Sequence, residues 1–217
     1  GKYLSPEIAG HILHEEHGLN LGGSEVNATV MFTDIRNYAA IAERLKAQNL
    51  VTTLNEYFSF LVKIIHQNGG VIDKFIGDST MAIFGLEDSL SGCNRAVQAS
   101  MEIQSFLREF NRKMRESNIP EFRTGIGIHY GTSVAGNIGS LDRLEYTIIG
   151  DVVNIASRLE DITKQEKRPI IISNDVYNLI SSEHKEAFID LGEHKIRGKE
   201  TTVSLYGVRG NIAYWPE

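Results

Sequence analysis

The stretch Val71-Ile72-Asp73-Lys74-Phe75-Ile76-Gly77-Asp78-Ser79-Thr80-Met81-Ala82-Ile83-Phe84 decides the fold. Two extended runs, Val71 to Ile76 and Thr80 to Phe84, flank the pair Gly77-Asp78, a pattern that predicts a β-hairpin around a tight turn. Asp78 then lies at the tip. Upstream, Leu54, Tyr57, Phe58, Leu61, Ile64 and Ile65 recur at three- and four-residue spacing from Asn49 until Gly69-Gly70. That spacing predicts an amphipathic helix with a glycine terminator. Further upstream, the apolar, β-branched run Ala28 to Phe32 ends at Thr33-Asp34 and predicts a strand buried on both faces, with Asp34 at its end. Downstream, Ala96, Ile103, Phe106, Leu107, Phe110 and Met114 predict a second long helix from about Asn94 to Arg115, closed off before Pro120. Strands follow at Arg123 to His129, Ser133 to Ile138 and Glu145 to Ile149. Asp151 is expected to cap a helix from Val152 to about Asp161. Ile170 to Ile172, Phe188 to Leu191 and Val203 to Val208 supply the last extended pieces.

Two helices between the first strand and the hairpin, with another helix before the later strands, give an α+β order. It resembles a ferredoxin-like βααβ-containing sheet with helices on one side. The chain has 217 residues, 41% of them apolar, enough for one such domain and little more. Cys93 is the single cysteine, so an internal disulfide and a thiolate metal site are both excluded, and a reducing compartment suits the chain. No run approaches the roughly 20 apolar residues of a membrane helix. The expected location is cytoplasmic for this domain, with a membrane anchor elsewhere in a longer protein left open. A net charge of −6 argues against a nucleic-acid partner, because such a surface repels a phosphate backbone. It leaves room for a small cationic pocket. Residues 1–24 read as a linker from an upstream regulatory region, with a short helix from Ser5 to His17 started by Ser5 and Pro6. Residues 25–210 read as the catalytic domain and 211–217 as a tail.

Asp34 and Asp78 are the first chemical signal. Carboxylates distant in sequence but both at strand ends can converge on Mg²⁺, which takes a few carboxylates together with water and substrate phosphates. Taken alone, each serves equally well to close a turn. The helix after Gly150 is the second signal. At 100° per residue Val152, Val153, Ile155, Ala156 and Leu159 share a broad face, while Asn154 and Arg158 lie opposite, one turn apart. By itself such a polar face is simply solvated.

Four motifs in order give these residues a meaning: Phe32-Thr33-Asp34-Ile35-Arg36, Lys74-Phe75-Ile76-Gly77-Asp78, Gly127-Ile128-His129-Tyr130-Gly131, and Gly150 through Arg158. With the late Gly198-Lys199 they resemble the successive motifs of class III adenylyl cyclases, over about Val26 to Val208. The resemblance implies a class III cyclase homology domain that converts ATP to cyclic AMP and pyrophosphate. It implies two divalent metal ions, Mg²⁺ or Mn²⁺, bound by Asp34, Asp78 and the Ile35 carbonyl. The turn Asp34-Ile35-Arg36-Asn37-Tyr38 would cradle the phosphates, Asn154 would orient the ribose and Arg158 would stabilise charge at the α-phosphorus. Arginine suits that task because its planar, permanently charged fork meets phosphate oxygens in fixed geometry. Lys199 would bind the triphosphate as a point charge. The resemblance further implies a homodimer with shared sites. One subunit gives Asp34 and Asp78, its partner Lys74, Thr147, Asn154, Arg158 and Lys199.

Hydrogen-bonding capacity argues for the base. Adenine offers an acceptor at N1 and a donor at its amino group, and guanine the reverse. Lys74 only donates and the Thr147 hydroxyl can accept, so the pair fits adenine; a guanine pocket would want a carboxylate in place of Lys74. Many family members have aspartate at the Thr147 position, and threonine there resembles a subset that includes bicarbonate-responsive cyclases, which makes bicarbonate a candidate activator. Some relatives carry an arginine where this chain has Gly125, with Arg123 expected to substitute. His129 reads as a core residue. Two rivals stay open: a guanylyl cyclase, and a regulatory domain that binds nucleotide without cyclising it.

Overall fold

The computed structural model describes residues 22–86, 88–140, 143–197 and 202–209. The expected helix at Ser5 to His17 lies outside them, and so does Lys199. Eight strands form one sheet: β1 (Gly22–Ile35), β2 (Gly70–Ile76), β3 (Ser79–Phe84), β4 (Thr124–Ser140), β5 (Arg143–Ile149), β6 (Ile170–Ser173), β7 (Phe188–Lys195) and β8 (Thr202–Val208). Their order is β2-β3-β1-β4-β6-β8-β7, and β5 pairs with β4 outside that path. All pairings are antiparallel except β4 with β6. The helices are α1 (Tyr38–Arg44), α2 (Ala47–Gln67), α3 (Ser89–Glu116), α4 (Asp151–Gln165), α5 (Asn174–Leu179) and α6 (Ser182–Glu186). No described helix is long and apolar enough to cross a membrane.

The βααβ unit has its helices on one side of the sheet. Met31, Ile35, Ile126 and Ile128 pack there with Tyr57, Leu61, Ile103 and Phe110 of α2 and α3. The intervening strand residues Val30 and Phe32, with Ile148, meet Val152 and Ala156 of α4 in a second core. This division follows from the strand period of two: successive side chains leave opposite faces, and both faces are apolar. α4 is therefore a cover for the second face.

Several features differ from the sequence reading. β1 begins at Gly22, within the segment expected to be linker, rather than at Ala28, and α3 begins at Ser89 rather than about Asn94. The predicted break between His129 and Ser133 is absent, and β4 runs unbroken for 17 residues. It pairs in continuous register with β1, from Gly22 opposite Asn137 to Ile35 opposite Thr124. β1 pairs with it along the whole of its own length and keeps the ladder going. Asp151 is not the cap of α4: Gly150 occupies that position at φ 145° and Asp151 is the first helical residue. A carboxylate in the first turn still faces the positive end of the helix dipole. The short helices α5 and α6, begun by Ser173 and Ser181, carried too little periodicity to be predicted.

Candidate active site

Asp34 stands one residue before the end of β1, and the β2–β3 hairpin brings Asp78 to it. The connection Gly77-Asp78 is two residues long, with Gly77 at φ 65°. Positive φ at the first central position alone is the II′ geometry whose twist matches the flanking strands. The Ser79 hydroxyl donates to Asp34 Oδ1 at 2.5 Å and fastens the hairpin tip to β1. Burial and then the Asp34 charge push the Asp78 carboxyl above the usual carboxylate range. A carboxyl raised by burial and a neighbouring negative charge is what a cation would relieve. Among the described residues no group of three or more His, Cys, Asp or Glu could hold a metal. A two-carboxylate site suits Mg²⁺, which keeps waters and takes phosphate oxygens, and the donor set here fits that ion.

Arg36 departs from a phosphate-facing role. Its side chain is buried, pairing with Asp34 Oδ2 at 3.2 Å and with Glu160 of α4. Its backbone N–H donates to the Arg123 carbonyl at 2.7 Å, so that amide too is committed. The guanidinium lies over Gly125: a Cβ added there would fall 2.6 Å from Arg36 Nη2 and 2.7 Å from Glu160 Oε1. Beside Gly125 the space is taken by Arg36, Glu160 and Thr163. Burial lowers the Arg36 pKa, against the pull of Asp34, Asp161 and Asp78. Asn37 follows in the left-handed region, at φ 55°, and turns the chain into α1. Asn37 is exposed and Tyr38 half-buried, while Ile35 is buried. Beneath the turn, Tyr57 bonds Thr124 at 3.0 Å, opposite Ile35 in the ladder.

Lys74 and Asp78 belong to one hairpin yet take different partners. Lys74 Nζ is 2.8 Å from Glu145 Oε1 and 3.4 Å from Asp73 Oδ2. The Thr147 hydroxyl donates to the same Asp73 Oδ2 at 2.9 Å. The two residues expected to read the base are thus brought together across β2 and β5 through Asp73. Burial would lower the Lys74 pKa, but the two carboxylates outweigh it and the ammonium is raised.

Asn154 is exposed on α4 and Arg158 half-buried. Arg158 borders a cleft of about 620 Å³ lined also by Lys164, Lys195 and Arg197, with Asp161 as the acidic residue among them and paired to Lys164. Arg197 directly precedes Gly198-Lys199 in sequence. α4 reaches this position because β4 offers it glycines: a Cβ on Gly127 would lie 2.2 Å from Glu160 N and 2.5 Å from Ala156 O. His129 is buried, with Nδ1 2.7 Å from Ser173 Oγ, as a core residue.

Asp73, Glu145 and Glu160 were missed in the sequence. Glu160 left a signal, since it sits four residues after Ala156 on the apolar face of α4 and is nevertheless ionisable. Asp73 left none, because its orientation depends on an irregularity in β2.

The sequence profile of the "Adenylate and Guanylate cyclase catalytic domain" matches residues 23–210. The chain is 37% identical over 186 residues to the adenylate cyclase of Anabaena cylindrica, covering 83% of this chain and 36% of that protein. It is 35% identical over 211 residues to adenylate cyclase 1 of Rhizobium meliloti, covering 97% and 31%. The chain therefore spans about a third of the length of these curated relatives. Among solved structures, the adenylyl cyclase CyaB from P. aeruginosa superposes with a TM-score of 0.78 at 32% identity, covering 88% of this chain and 97% of that one. The guanylyl cyclase Cya2 superposes with a TM-score of 0.76 at 30% identity, covering 88% and 95%. With a family profile matching residues 23–210 and adenylate cyclases 35–37% identical over most of its length, this chain belongs to the adenylate and guanylate cyclase catalytic domain family.

Proposed function

We propose that this domain is an adenylyl cyclase, forming 3′,5′-cyclic AMP and pyrophosphate from ATP at sites shared between two identical subunits. The observation that carries the reading is the separation of partners within the β2–β3 hairpin. Asp78 joins Asp34, while Lys74 joins Thr147 through Asp73. A hairpin that gives Asp78 to the acidic corner and Lys74 to the base-reading pair suits a site completed by a second copy. The exposed apolar residues Phe75, Ile76 and Ile149 on the same strands favour a second copy as the cover.

In this reading the ribose 3′-oxygen attacks the α-phosphorus in line, its O–P bond forming as the bond to the β-phosphate oxygen breaks. Two divalent cations, held by Asp34, Asp78 and the Ile35 carbonyl, would favour ionisation of the 3′-hydroxyl and neutralise the pyrophosphate leaving group. Asn154 orients the ribose. Arg158 offsets charge on the α-phosphoryl oxygens, and the neighbouring cations Lys195 and Arg197, with Lys199, hold the triphosphate. Lys74 donates to adenine N1 and Thr147 accepts from the 6-amino group. Likeness to both adenylyl and guanylyl cyclases leaves the base to these two residues, and their pattern favours adenine. An upstream regulatory domain would set activity in the longer protein, and bicarbonate is worth one assay at fixed pH.

The purified domain should make cyclic AMP from ATP with Mg²⁺ or Mn²⁺ and turn over GTP poorly. Asp34→Ala and Asp78→Ala should each lose at least about 100-fold in turnover with an unchanged circular dichroism spectrum. Preference for GTP, or wild-type turnover in either variant, would overturn the reading.

A further inference from the structure

A threonine hydroxyl has no fixed polarity. It carries one hydrogen and two lone pairs, so Thr147 alone can accept from the 6-amino group of adenine or donate to the 6-oxo group of guanine. A neighbour removes that ambiguity in this chain. The β2–β3 register shifts between Ile72 and Lys74, which leaves Asp73 as the extra residue of a β-bulge. In a regular strand Asp73 and Lys74 would project to opposite faces; a bulge re-aims a side chain, and here Lys74 and Thr147 both meet the Asp73 carboxylate. The Asp73 side chain is wholly buried. Its Oδ2 lies 2.9 Å from Thr147 Oγ1 and 3.4 Å from Lys74 Nζ.

The order of donors follows from Lys74. An ammonium has only hydrogens to give, so the carboxylate oxygen it faces is an acceptor, and the Thr147 hydroxyl approaching that oxygen must donate to it. The one hydroxyl hydrogen is then used, and only lone pairs remain for a ligand. The other carboxylate oxygen, Oδ1, is buried with no hydrogen-bond partner among the described residues. A half-satisfied buried carboxylate is costly, and the strand itself gains nothing from it that an apolar residue would not supply.

We propose that Asp73 is a positioning residue that determines base specificity, holding Thr147 as an acceptor and Lys74 as a donor so that the subsite takes 6-aminopurine nucleotides. The inference rests on Lys74 and Thr147 reading the base, as in the function proposed above. Asp73→Asn keeps the shape but offers Thr147 an amide that both donates and accepts, so the hydroxyl can turn either way.

The test compares kcat/KM for ATP with that for purine riboside 5′-triphosphate, which keeps the N1 acceptor and lacks the 6-amino group. Wild type should prefer ATP by about tenfold, the value of one well-placed hydrogen bond. Asp73→Asn should lose most of that preference and raise the GTP-to-ATP ratio. In a Thr147→Val background the same change should leave the ratio where it was. A purely structural role would lower both nucleotides in parallel and keep the wild-type ratio, which overturns the proposal. So does an unchanged ratio in Asp73→Ser, the variant to use if Asp73→Asn does not fold. A wild type that prefers GTP sinks the base assignment and this inference together; an ATP-preferring enzyme whose ratio ignores Asp73 sinks the inference alone.

Discussion

At position 125 the absence of a side chain is a structural choice with an electrostatic consequence. Arg36 fills the space, and its buried guanidinium is balanced by Asp34 on one side and Glu160 on the other. Charges taken out of water in this way stand only while they are compensated, and breaking one partner of a buried pair costs about 3–5 kcal/mol. Glu160→Gln removes a carboxylate without changing the shape and leaves Arg36 dependent on Asp34 alone. We expect a loss of about 3 kcal/mol in urea unfolding, read as a lower midpoint at unchanged slope. A midpoint equal to wild type would mean that Glu160 carries no share of the Arg36 charge. Glu160 contacts no expected substrate group, so Glu160→Gln should cost stability alone, whereas Asp34→Ala, which also removes a partner of Arg36, should abolish turnover and lower the midpoint as well.

The elements themselves were largely legible, because their signals are local: alternation and apolar runs for the strands, three- and four-residue spacing for α2 and α3, and Gly77-Asp78 for the hairpin. What was not legible depends on partners. The join of two predicted strands into β4 is set by the length of β1, and the Asp73 bulge by the pairing of β2 with β3. The approach of α4 to β4 had a sequence mark, the glycines at 125 and 127, whose reason appears only when the helix is seen lying on them. That approach positions Asn154 and Arg158, so it can be tested at one glycine against another. Gly127→Ala would force a methyl group into the α4 backbone, with contacts of 2.2 and 2.5 Å to Glu160 N and Ala156 O, neither of which can yield alone. Overpacking of this kind costs about 1–3 kcal/mol, and a misplaced helix of about 1 Å can cost about 100-fold in turnover. At Gly131 the nearest atoms to an added Cβ are 3.7 Å away, an ordinary contact. Gly131→Ala should therefore stay within about 0.5 kcal/mol of wild type. Thermal melts and cyclic AMP formation on the two variants check the contrast; equal behaviour would remove close packing as the reason for Gly127.

At the scale of the whole molecule the question is which subunit supplies which residue. Within one chain Asp34 and Asp78 share a corner, Lys74 and Thr147 share Asp73, and Arg158 borders a separate basic cleft. Exposed Val134 and Ile149 face each other across β4 and β5, and Phe75 and Ile76 on β2 are exposed too. In the arrangement proposed above, a two-fold dimer built on such a surface would set the acidic corner of one subunit against the base-reading and helical residues of the other, with two complete sites per dimer and none per monomer. Complementation tests this directly. Asp34→Ala and Arg158→Ala homodimers each carry a defect in both sites and should be nearly inactive. In a heterodimer of the two, one site receives wild-type residues from both chains and the other receives both lesions. Mixing equal amounts should therefore restore up to about a quarter of wild-type turnover, since random exchange makes about half the dimers mixed and each has one working site. Activity per subunit should also fall on dilution, as dimers dissociate. Tagging one variant and recovering the other with it establishes that heterodimers have formed. If they have formed and the mixture stays inactive, or if specific activity does not change down to concentrations where the chain sediments as a monomer, each site lies within one chain and the shared arrangement is wrong.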